Sequence, residues 1–344
     1  MAASATLSQR DPRASASTER ESSLFSRAVS TQSSFTAESV QSLSGRRFIV
    51  TGANSGIGLD AARIFASKGA HVILAVRSTD KGARAREQIL AQHPDAEVHV
   101  RALDLASLAS IKRFVDEYLE SSRTLDVLVN NAGVMALPRT LTADGFEMQL
   151  GTNHLGHFAL TARLFPALVA GNKPRVVTVS SLAHVQGRVN LDDLHGEKSY
   201  RKWGAYMQSK LANLFFAFEL DRRARAASIP VMSLACHPGY SATNLQFVGP
   251  QMEQNSLVEG VMRFANRFMA QPAAMGCLPT VYAAVSDDVE GGDFIGPDGV
   301  GEIRGYPRKV KASARAYDQI GARRLWEASE AACKLVFDPR AVRP

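Results

Sequence analysis

Short, almost wholly apolar runs alternate with longer segments of helical periodicity from residue 46 onward. The largely apolar runs span residues 47–51, 72–76, 126–130, 175–180 and 231–236, and residues 98–103 are a further strand candidate. Helical segments between them include residues 57–69, 81–92 and 107–119. Runs this short and this apolar are typical of strands buried on both faces. The alternation therefore predicts an α/β fold: a single Rossmann-type, doubly wound parallel sheet with helices on both faces.

Residues 1–44 differ from the rest because they contain 17 Ser or Thr residues and almost no apolar periodicity. This composition predicts a disordered amino-terminal extension. An organelle transit peptide is the alternative, but such peptides are poor in acids, and here Asp11, Glu19, Glu21 and Glu38 balance the arginines. We expect a cytoplasmic protein, or a mitochondrial or plastid one if the extension is a transit peptide.

Net charge and cysteine spacing argue against a nucleic-acid-binding, metal-binding or disulfide-stabilised protein. The formal net charge is +7 and the pI about 9.4, but the basic residues are scattered and do not alternate with aromatic residues. A solvated basic face is favoured over a nucleic-acid interface. The spacing of Cys236, Cys277 and Cys333 fits neither a metal site nor a disulfide framework. No apolar run approaches the roughly 18 residues of a membrane span. We therefore expect no nucleic-acid partner, no metal and no integral membrane span.

The first predicted strand ends in a glycine-rich turn directly before a helix. Its sequence is Thr51-Gly52-Ala53-Asn54-Ser55-Gly56-Ile57-Gly58. Such a turn lets a pyrophosphate approach the backbone and places its charge at the helix amino terminus. The spacing is Gly-x-x-x-Gly-x-Gly rather than the commoner Gly-x-Gly-x-x-Gly, and a plain turn is the alternative.

Tyr206 and Lys210 are four positions apart in a helical segment and therefore share one face of the helix. A free phenol has a pKa of about 10, and a nearby cation favours the phenolate. A unit charge at about 4 Å contributes at most about 4 kcal/mol at an effective dielectric of 20. We therefore expect Lys210 to lower the pKa of Tyr206 toward neutrality, as a general acid/base requires. By itself the spacing is weak evidence, since such pairs occur by chance on many helices.

Several motifs in a fixed order resemble the short-chain dehydrogenase/reductase family over about residues 45–310. They are the turn at 51–58, Asn130-Asn131-Ala132-Gly133, Asn153, Ser181, Tyr206 with Lys210, and Pro238-Gly239. Two further blocks are similar to the retinol-dehydrogenase-like branch of that family: Ser180-Ser181-Leu182-Ala183-His184 and Ser209-Lys210-Leu211-Ala212-Asn213.

The resemblance implies a role for each matching residue. Tyr206 would donate a proton to a carbonyl oxygen in reduction or accept one in oxidation, and Lys210 would also hold the nicotinamide ribose. Ser181 would hydrogen-bond the substrate oxygen, and Asn153 would organise a water beside Lys210. The implied cofactor contacts are Gly52, Asn54, Ser55, Gly56, Ile57, Gly58, Asp104, Leu105, Asn131, Ala132, Gly133, Tyr206, Lys210, Pro238, Gly239 and Thr243.

Arg77 bears on the choice of cofactor. NAD binders usually place an acid at the end of the second strand, about 20 residues after the glycine turn. Here the sequence is Leu74-Ala75-Val76-Arg77-Ser78, with no acid until Asp80. A planar guanidinium suits a ribose 2′-phosphate, although a solvated arginine is the alternative. We predict NADP(H).

These inferences predict an NADP(H)-dependent oxidoreductase that interconverts a carbonyl and an alcohol on a small lipophilic substrate. The resemblance places a substrate lid at residues 245–275, whose apolar residues favour such a substrate, although ordinary packing explains them equally well. Two alternatives stay open: a catalytically silent NADP(H)-binding sensor, and a reductase of a pigment or quinone C=C bond. His154 and His184 are more typical of structural histidines. Residues 311–344 are expected to form a helical extension, and the protein to be a monomer or homodimer.

Overall fold

The computed structural model describes residues 1–2, 34–240 and 271–342. The chain divides into residues 1–34 and residues 35–344, and every element below lies in the second unit. The strands are β1 Arg47–Thr51, β2 His71–Val76, β3 Val98–Ala102, β4 Val127–Asn130, β5 Arg175–Val179, β6 Met232–Cys236, β7 Phe294–Pro297 and β8 Pro307–Val310. Among the described residues they form one eight-stranded sheet in the order β3-β2-β1-β4-β5-β6-β7-β8.

Seven longer helices surround this sheet in the described part of the chain. They are α1 Gly56–Ser67, α2 Thr79–Gln92, α3 Leu108–Ser121, α4 Gly156–Val169, α5 Lys202–Ala226, α6 Leu278–Val285 and α7 Gln319–Cys333. Short helical turns occupy Ala37–Ser39, Met148–Leu150, Leu182–Gln186, Leu191–Asp193, Ala273–Gly276, Val300–Glu302, Ala314–Tyr317 and Pro339–Ala341, and a π-helical turn, Gly151–Leu155, leads into α4.

The strands separate two apolar layers because successive side chains point to opposite faces. Ile49 and Leu128 face a layer that includes residues of α3, α4, α5 and α7. Phe48 and Val127 face the other layer, which includes residues of α1, α2 and α6. All pairings from β3 through β7 are parallel. The predicted doubly wound architecture is confirmed.

The far edge of the sheet departs from a purely parallel arrangement. β8 pairs with β7 in antiparallel fashion, with Phe294 opposite Val310. The apolar-run pattern did not predict either strand, because β7 contains a glycine and a proline and β8 has an exposed, basic centre.

The segments before and after the predicted catalytic domain, residues 35–44 and the helix α7, both pack into its core. Val40 and Leu43 are 3% and 4% exposed, and the Phe35 ring packs edge-on against Tyr282 with ring centres 4.9 Å apart. Residues 35–44, predicted as part of a disordered extension, therefore pack onto the domain. Three apolar side chains among many serines are too few for a recognisable period. At the other end, α7 places Trp326 in the core, so this helix is part of the domain rather than an appendage.

In the ranges 34–240 and 271–342, no helix is long and apolar enough to cross a lipid bilayer. The same ranges contain no group of three or more His, Cys, Asp or Glu side chains placed to hold a metal ion.

Candidate active site

A cavity of about 500 Å³ opens at the carboxyl ends of β1, β4, β5 and β6. The strand order reverses between β1 and β4, which is where doubly wound sheets form a ligand crevice. Of the residues predicted for the site, those lining this cavity are Gly52, Asn54, Ser55, Gly56, Ile57, Gly58, Asn131, Ala132, Gly133, Ser181, Tyr206, Lys210, Pro238 and Gly239.

The glycines of the turn after β1 leave part of the cavity wall without side chains. Gly52 has a φ of +66°, and a Cβ there would lie 2.9 Å from Cα of Ala132. A Cβ at Gly58 would lie 2.8 Å from the carbonyl oxygen of Gly52 and would overlap the Asn131 amide. These residues lead into α1, whose first N–H groups lack partners within the helix. A pyrophosphate can therefore approach both the backbone and the positive end of α1.

Thr51 holds the loop after β4 beside this turn. Its hydroxyl oxygen accepts hydrogen bonds from the backbone N–H groups of Asn131 and Ala132, both at 2.9 Å. The Asn131 side chain donates in turn to the Thr51 carbonyl oxygen at 2.7 Å. The two loops that would face a dinucleotide thus have a fixed separation.

Ser181, Tyr206 and Lys210 also bring polar atoms to the cavity wall. Ser181 is the second residue after the end of β5. The Oγ atom of Ser181 accepts a hydrogen bond from the backbone N–H of Ala183 at 3.2 Å. Tyr206 and Lys210 lie one turn apart on α5 and are 6% and 3% exposed. Lys210 Nζ donates to the Val179 carbonyl oxygen at 3.3 Å and lies 5.7 Å from the centre of the Tyr206 ring.

Burial dominates the electrostatics of this pair. It raises the pKa of Tyr206, and hydrogen bonding with Ser181 opposes that shift only in part. It also lowers the pKa of Lys210 to about 8. The expected lowering of the Tyr206 pKa by Lys210 is therefore wrong for this structure, because the ammonium is directed at Val179 and the phenol is desolvated. The buried phenol is held in its neutral form at neutral pH.

Asn153 lies in the π-helical turn and is fully buried. Its Oδ1 accepts from the Val134 N–H at 2.7 Å, and its Nδ2 donates to the Val134 carbonyl and to Ser209 Oγ, both at 2.9 Å. Asn153 therefore joins the loop after β4 to α5, although it does not line the cavity itself. π-Helical turns of this kind occur frequently at functional sites.

The family model for short chain dehydrogenases matches residues 46–253 of the chain. The chain belongs to this family. Proteins of this family are oxidoreductases that bind a nicotinamide cofactor, and the ordered motifs and retinol-dehydrogenase-like blocks of the sequence agree with the comparisons below.

Curated relatives are similar over most of this short-chain dehydrogenase. Retinol dehydrogenase 11 of Mus musculus is 38% identical over 287 residues, which cover 83% of this chain and 86% of that protein. Retinol dehydrogenase 13 of Homo sapiens is 39% identical over 291 residues, which cover 83% of each.

Solved structures share the fold. A crystal structure of an uncharacterised protein from Mycobacterium paratuberculosis matches with a TM-score of 0.73 and 44% identity, over 88% of this chain and 99% of that one. A candidate NAD(P)-dependent gluconate 5-dehydrogenase from Beutenbergia cavernae, with NADP bound at low occupancy, matches with a TM-score of 0.53 and 26% identity, over 71% and 91%.

Three predicted cofactor contacts, Arg77, Asp104 and Leu105, are not among the residues that line the cavity of this short-chain dehydrogenase. Arg77 directly follows β2 and is exposed. The Asp104 carboxylate accepts from the Ala106 N–H at 2.9 Å and shapes the turn after β3. Leu105 is 7% exposed and packs in the core, so its side chain is not available to a ligand. Thr243 and residues 245–270 of the predicted lid lie outside the described residues.

Seven cavity residues were not predicted: Met135, Val179, Ser180, Leu182, Ala183, Trp203 and Tyr240. Trp203 is 42% exposed, and its ring stands edge-on to that of Tyr206 with ring centres 6.2 Å apart. Its position three residues before Tyr206 on the same helix is a signal that could have identified it. The other six lie one or two residues from Gly133, Ser181 or Gly239 in the sequence, and that proximity is the signal for them.

Proposed function

We propose that the protein interconverts a carbonyl and an alcohol on a lipophilic substrate with NADP(H), and that Tyr206 acts as the general acid/base. One observation carries the proposal. Ser181, Tyr206 and Lys210 line the same cavity as the glycine turn, although they are distributed over more than 150 residues of sequence.

The residues of the turn fit a dinucleotide, because any Cβ at Gly52 or Gly58 would collide with the neighbouring loop. The turn would hold the pyrophosphate, and the segments 131–133 and 238–239 would flank the remainder of the cofactor. A bound nicotinamide supplies the hydride in reduction and accepts it in oxidation. The Lys210 ammonium would hold the ribose hydroxyl groups.

Proton transfer is the task of the protein. In reduction, the neutral Tyr206 phenol donates its proton to the oxygen on which negative charge develops. The Ser181 hydroxyl donates a hydrogen bond to the same oxygen, which stabilises the transition state more than the neutral ground state. In oxidation, the phenolate accepts the proton of the alcohol. Burial of Tyr206 favours the protonated form, which is the form that donates the proton in reduction.

Arg77 supports the choice of NADP(H). It is exposed at the carboxyl end of β2, where an acid would hold the ribose of NAD. Its guanidinium can form paired hydrogen bonds to a 2′-phosphate.

Apolar side chains in the cavity support a lipophilic substrate. Met135, Leu182 and Trp203 line it, and the Trp203 ring stands edge-on to that of Tyr206. The curated relatives carry the name retinol dehydrogenase, which also favours an apolar alcohol or aldehyde.

NADPH oxidation across a panel of aldehydes, ketones and quinones tests the proposal. We expect turnover with apolar aldehydes or ketones, and we expect Tyr206→Phe to lose it while NADPH binding, followed by its fluorescence, persists. Binding without turnover on any compound would instead indicate a sensor, and reduction confined to conjugated C=C bonds would indicate an ene reductase. Full activity in Tyr206→Phe would overturn the role of the phenol.

A further inference from the structure

One buried imidazole connects the glycine-turn side of the site to the catalytic side. His157 lies in the first turn of α4 and is 1% exposed. Its Nε2 is 2.9 Å from the hydroxyl oxygen of Thr51, and its Nδ1 is 3.0 Å from the carbonyl oxygen of Asn153. Thr51 ends β1 directly before the turn, whereas Asn153 contacts the loop after β4 and α5.

The partners of His157 decide where its proton resides. A carbonyl oxygen can only accept, so Nδ1 must carry the proton that it donates to Asn153. Nε2 of the neutral ring is then an acceptor, and the Thr51 hydroxyl must donate to it. The alternative acceptor for that hydroxyl, the carbonyl oxygen of Val129, is more distant at 3.2 Å.

This arrangement also satisfies Thr51 completely. Its hydroxyl has one proton and two lone pairs. The proton goes to His157, and the lone pairs accept the N–H groups of Asn131 and Ala132 at 2.9 Å. If Nε2 of His157 were also protonated, three N–H groups, those of His157, Asn131 and Ala132, would point at the Thr51 hydroxyl oxygen, which has two lone pairs.

The surroundings keep the ring neutral. Burial lowers the pKa of His157 to about 4, the bond to the Asn153 carbonyl opposes that shift, and the positive charge of Lys210 adds to it. Because a buried imidazole with this pKa does not titrate near neutral pH, it cannot serve as the proton donor of the reaction. Its contribution is geometric.

We infer that His157 is a positioning residue that uses its Nδ1–H tautomer to hold the Asn153 main chain at a fixed distance from Thr51 and the dinucleotide turn. The inference rests on the proposed function, since it assigns His157 a part in aligning the two halves of that site. Through Asn153 the same chain of hydrogen bonds reaches Val134 and Ser209. A shift of the ring would therefore move the cofactor loop relative to the helix that carries Tyr206.

Variants of His157 and a neighbouring histidine separate alignment from stability. His157→Phe keeps a planar ring and removes both hydrogen bonds. His154→Phe is the matched control, because His154 is also buried but bonds Ser329 on α7 at 2.9 Å. We expect His157→Phe to lower kcat by about tenfold or more and to weaken NADPH binding, since two buried hydrogen bonds are lost. The control should lose thermal stability but keep kcat within about threefold.

A conservative replacement and a double variant test the link itself. His157→Asn retains a donor near the Nδ1 position and should recover part of the lost kcat. In a Thr51→Val background, His157→Phe should lower kcat by about threefold or less, because Thr51→Val has already removed the hydrogen bond between the two residues. Equal losses in the two phenylalanine variants, or full additivity with Thr51→Val, would overturn the inference.

The tautomer can be measured without turnover. In ¹⁵N-labelled protein, the two ring nitrogens of His157 differ in chemical shift according to which one is protonated, and His157→Phe identifies the signal. We expect a protonated Nδ1 and a bare Nε2, whereas a protonated Nε2 would contradict the inference. If the wild-type protein turned over no carbonyl at all, the proposed function would fail, but this measurement and NADPH binding would still decide the role of His157.

Discussion

Lys210 Nζ lies 5.7 Å from the centre of the Tyr206 ring and donates its hydrogen bond to the carbonyl of Val179. The two side chains share a helix face, as their spacing requires, yet the ammonium is not directed at the phenol oxygen. The pKa of Tyr206 is accordingly raised by burial, and that of Lys210 is lowered to about 8. The pair is arranged to keep a proton on the phenol rather than to remove it.

The dependence of rate on pH follows from these shifts. A raised Tyr206 pKa keeps the phenol protonated through neutral pH, so carbonyl reduction should be constant there and decline above about pH 8, where Lys210 loses its charge. Alcohol oxidation needs the phenolate and should rise with pH up to about pH 8, above which the loss of charge on Lys210 opposes the rise. Steady-state rates of carbonyl reduction and of alcohol oxidation, each measured as a function of pH, test this. Lys210→Arg stays charged and should move the decline in reduction to higher pH; an unmoved decline would show that Lys210 is not the titrating group.

Ser181→Ala removes the hydroxyl that we propose donates a hydrogen bond to the reacting oxygen. We expect kcat to fall by about 10²-fold or more, because a donor to a developing oxyanion is worth that much in comparable sites. Ser181→Thr keeps the hydroxyl and should retain much more activity. Steady-state kinetics on the best substrate measures both, and equal activity in the two variants would rule out the proposed role.

Arg77→Glu reverses the charge where a 2′-phosphate would bind. We expect kcat/KM with NADPH to fall by about 10- to 100-fold while kcat/KM with NADH is retained or improved. Lys81→Glu makes the same change in charge at another exposed position, on α2, and should leave the preference unchanged. A preference for NADPH that survives Arg77→Glu would show that another residue selects the cofactor.

Gly58→Ala should damage the cofactor site through sterics alone. Its Cβ would overlap the Asn131 side chain, so either that amide or the start of α1 must move. We expect NADPH affinity to fall by about tenfold, with a loss of about 1–3 kcal/mol in the free energy of unfolding. Gly204→Ala on α5 is the control, because its Cβ would meet a single atom, Cβ of Arg201, at 3.5 Å. Unchanged NADPH binding in Gly58→Ala would argue against the turn as the pyrophosphate site.

Trp326 makes α7 part of the core. It is 2% exposed, and its ring packs on those of Phe158, Phe216 and Phe337. We expect Trp326→Ala to lower the free energy of unfolding by about 3–5 kcal/mol. Val336→Ala, at a position 86% exposed, should change it by less than about 0.5 kcal/mol. Urea denaturation measures both, and a small loss in Trp326→Ala would mean that α7 contributes little to the fold.

The features that sequence predicted well are local ones. Each of the strands β1 to β6 matches a predicted strand to within one residue. All but the edge strand β3 are buried, and a buried parallel strand must be apolar on both faces. The glycine turn was predictable for a similar reason, since backbone conformation and close approach restrict Gly52 and Gly58 to glycine.

The features that sequence could not supply depend on distant partners. The direction of the Lys210 ammonium is set by Val179, 31 residues earlier, and the desolvation of Tyr206 by the surrounding fold. His157 looked like any histidine in an apolar helix until Thr51, 106 residues away, was placed beside it. Contacts between residues so far apart in the sequence produce no periodic pattern or fixed spacing from which they could be predicted.

The position of α7 in the sequence has a consequence for how the protein is made. The aromatic faces of α4 and α5 emerge from the ribosome well before Trp326, which covers Phe158 and Phe216. At translation rates of about 5–20 residues per second, the ribosome needs on the order of 5–20 seconds to synthesise the chain between the end of α5 and Trp326. During that interval the nascent chain presents an exposed aromatic patch of the kind that chaperones bind. The helices α4 and α5 can therefore reach their final packing only late in synthesis.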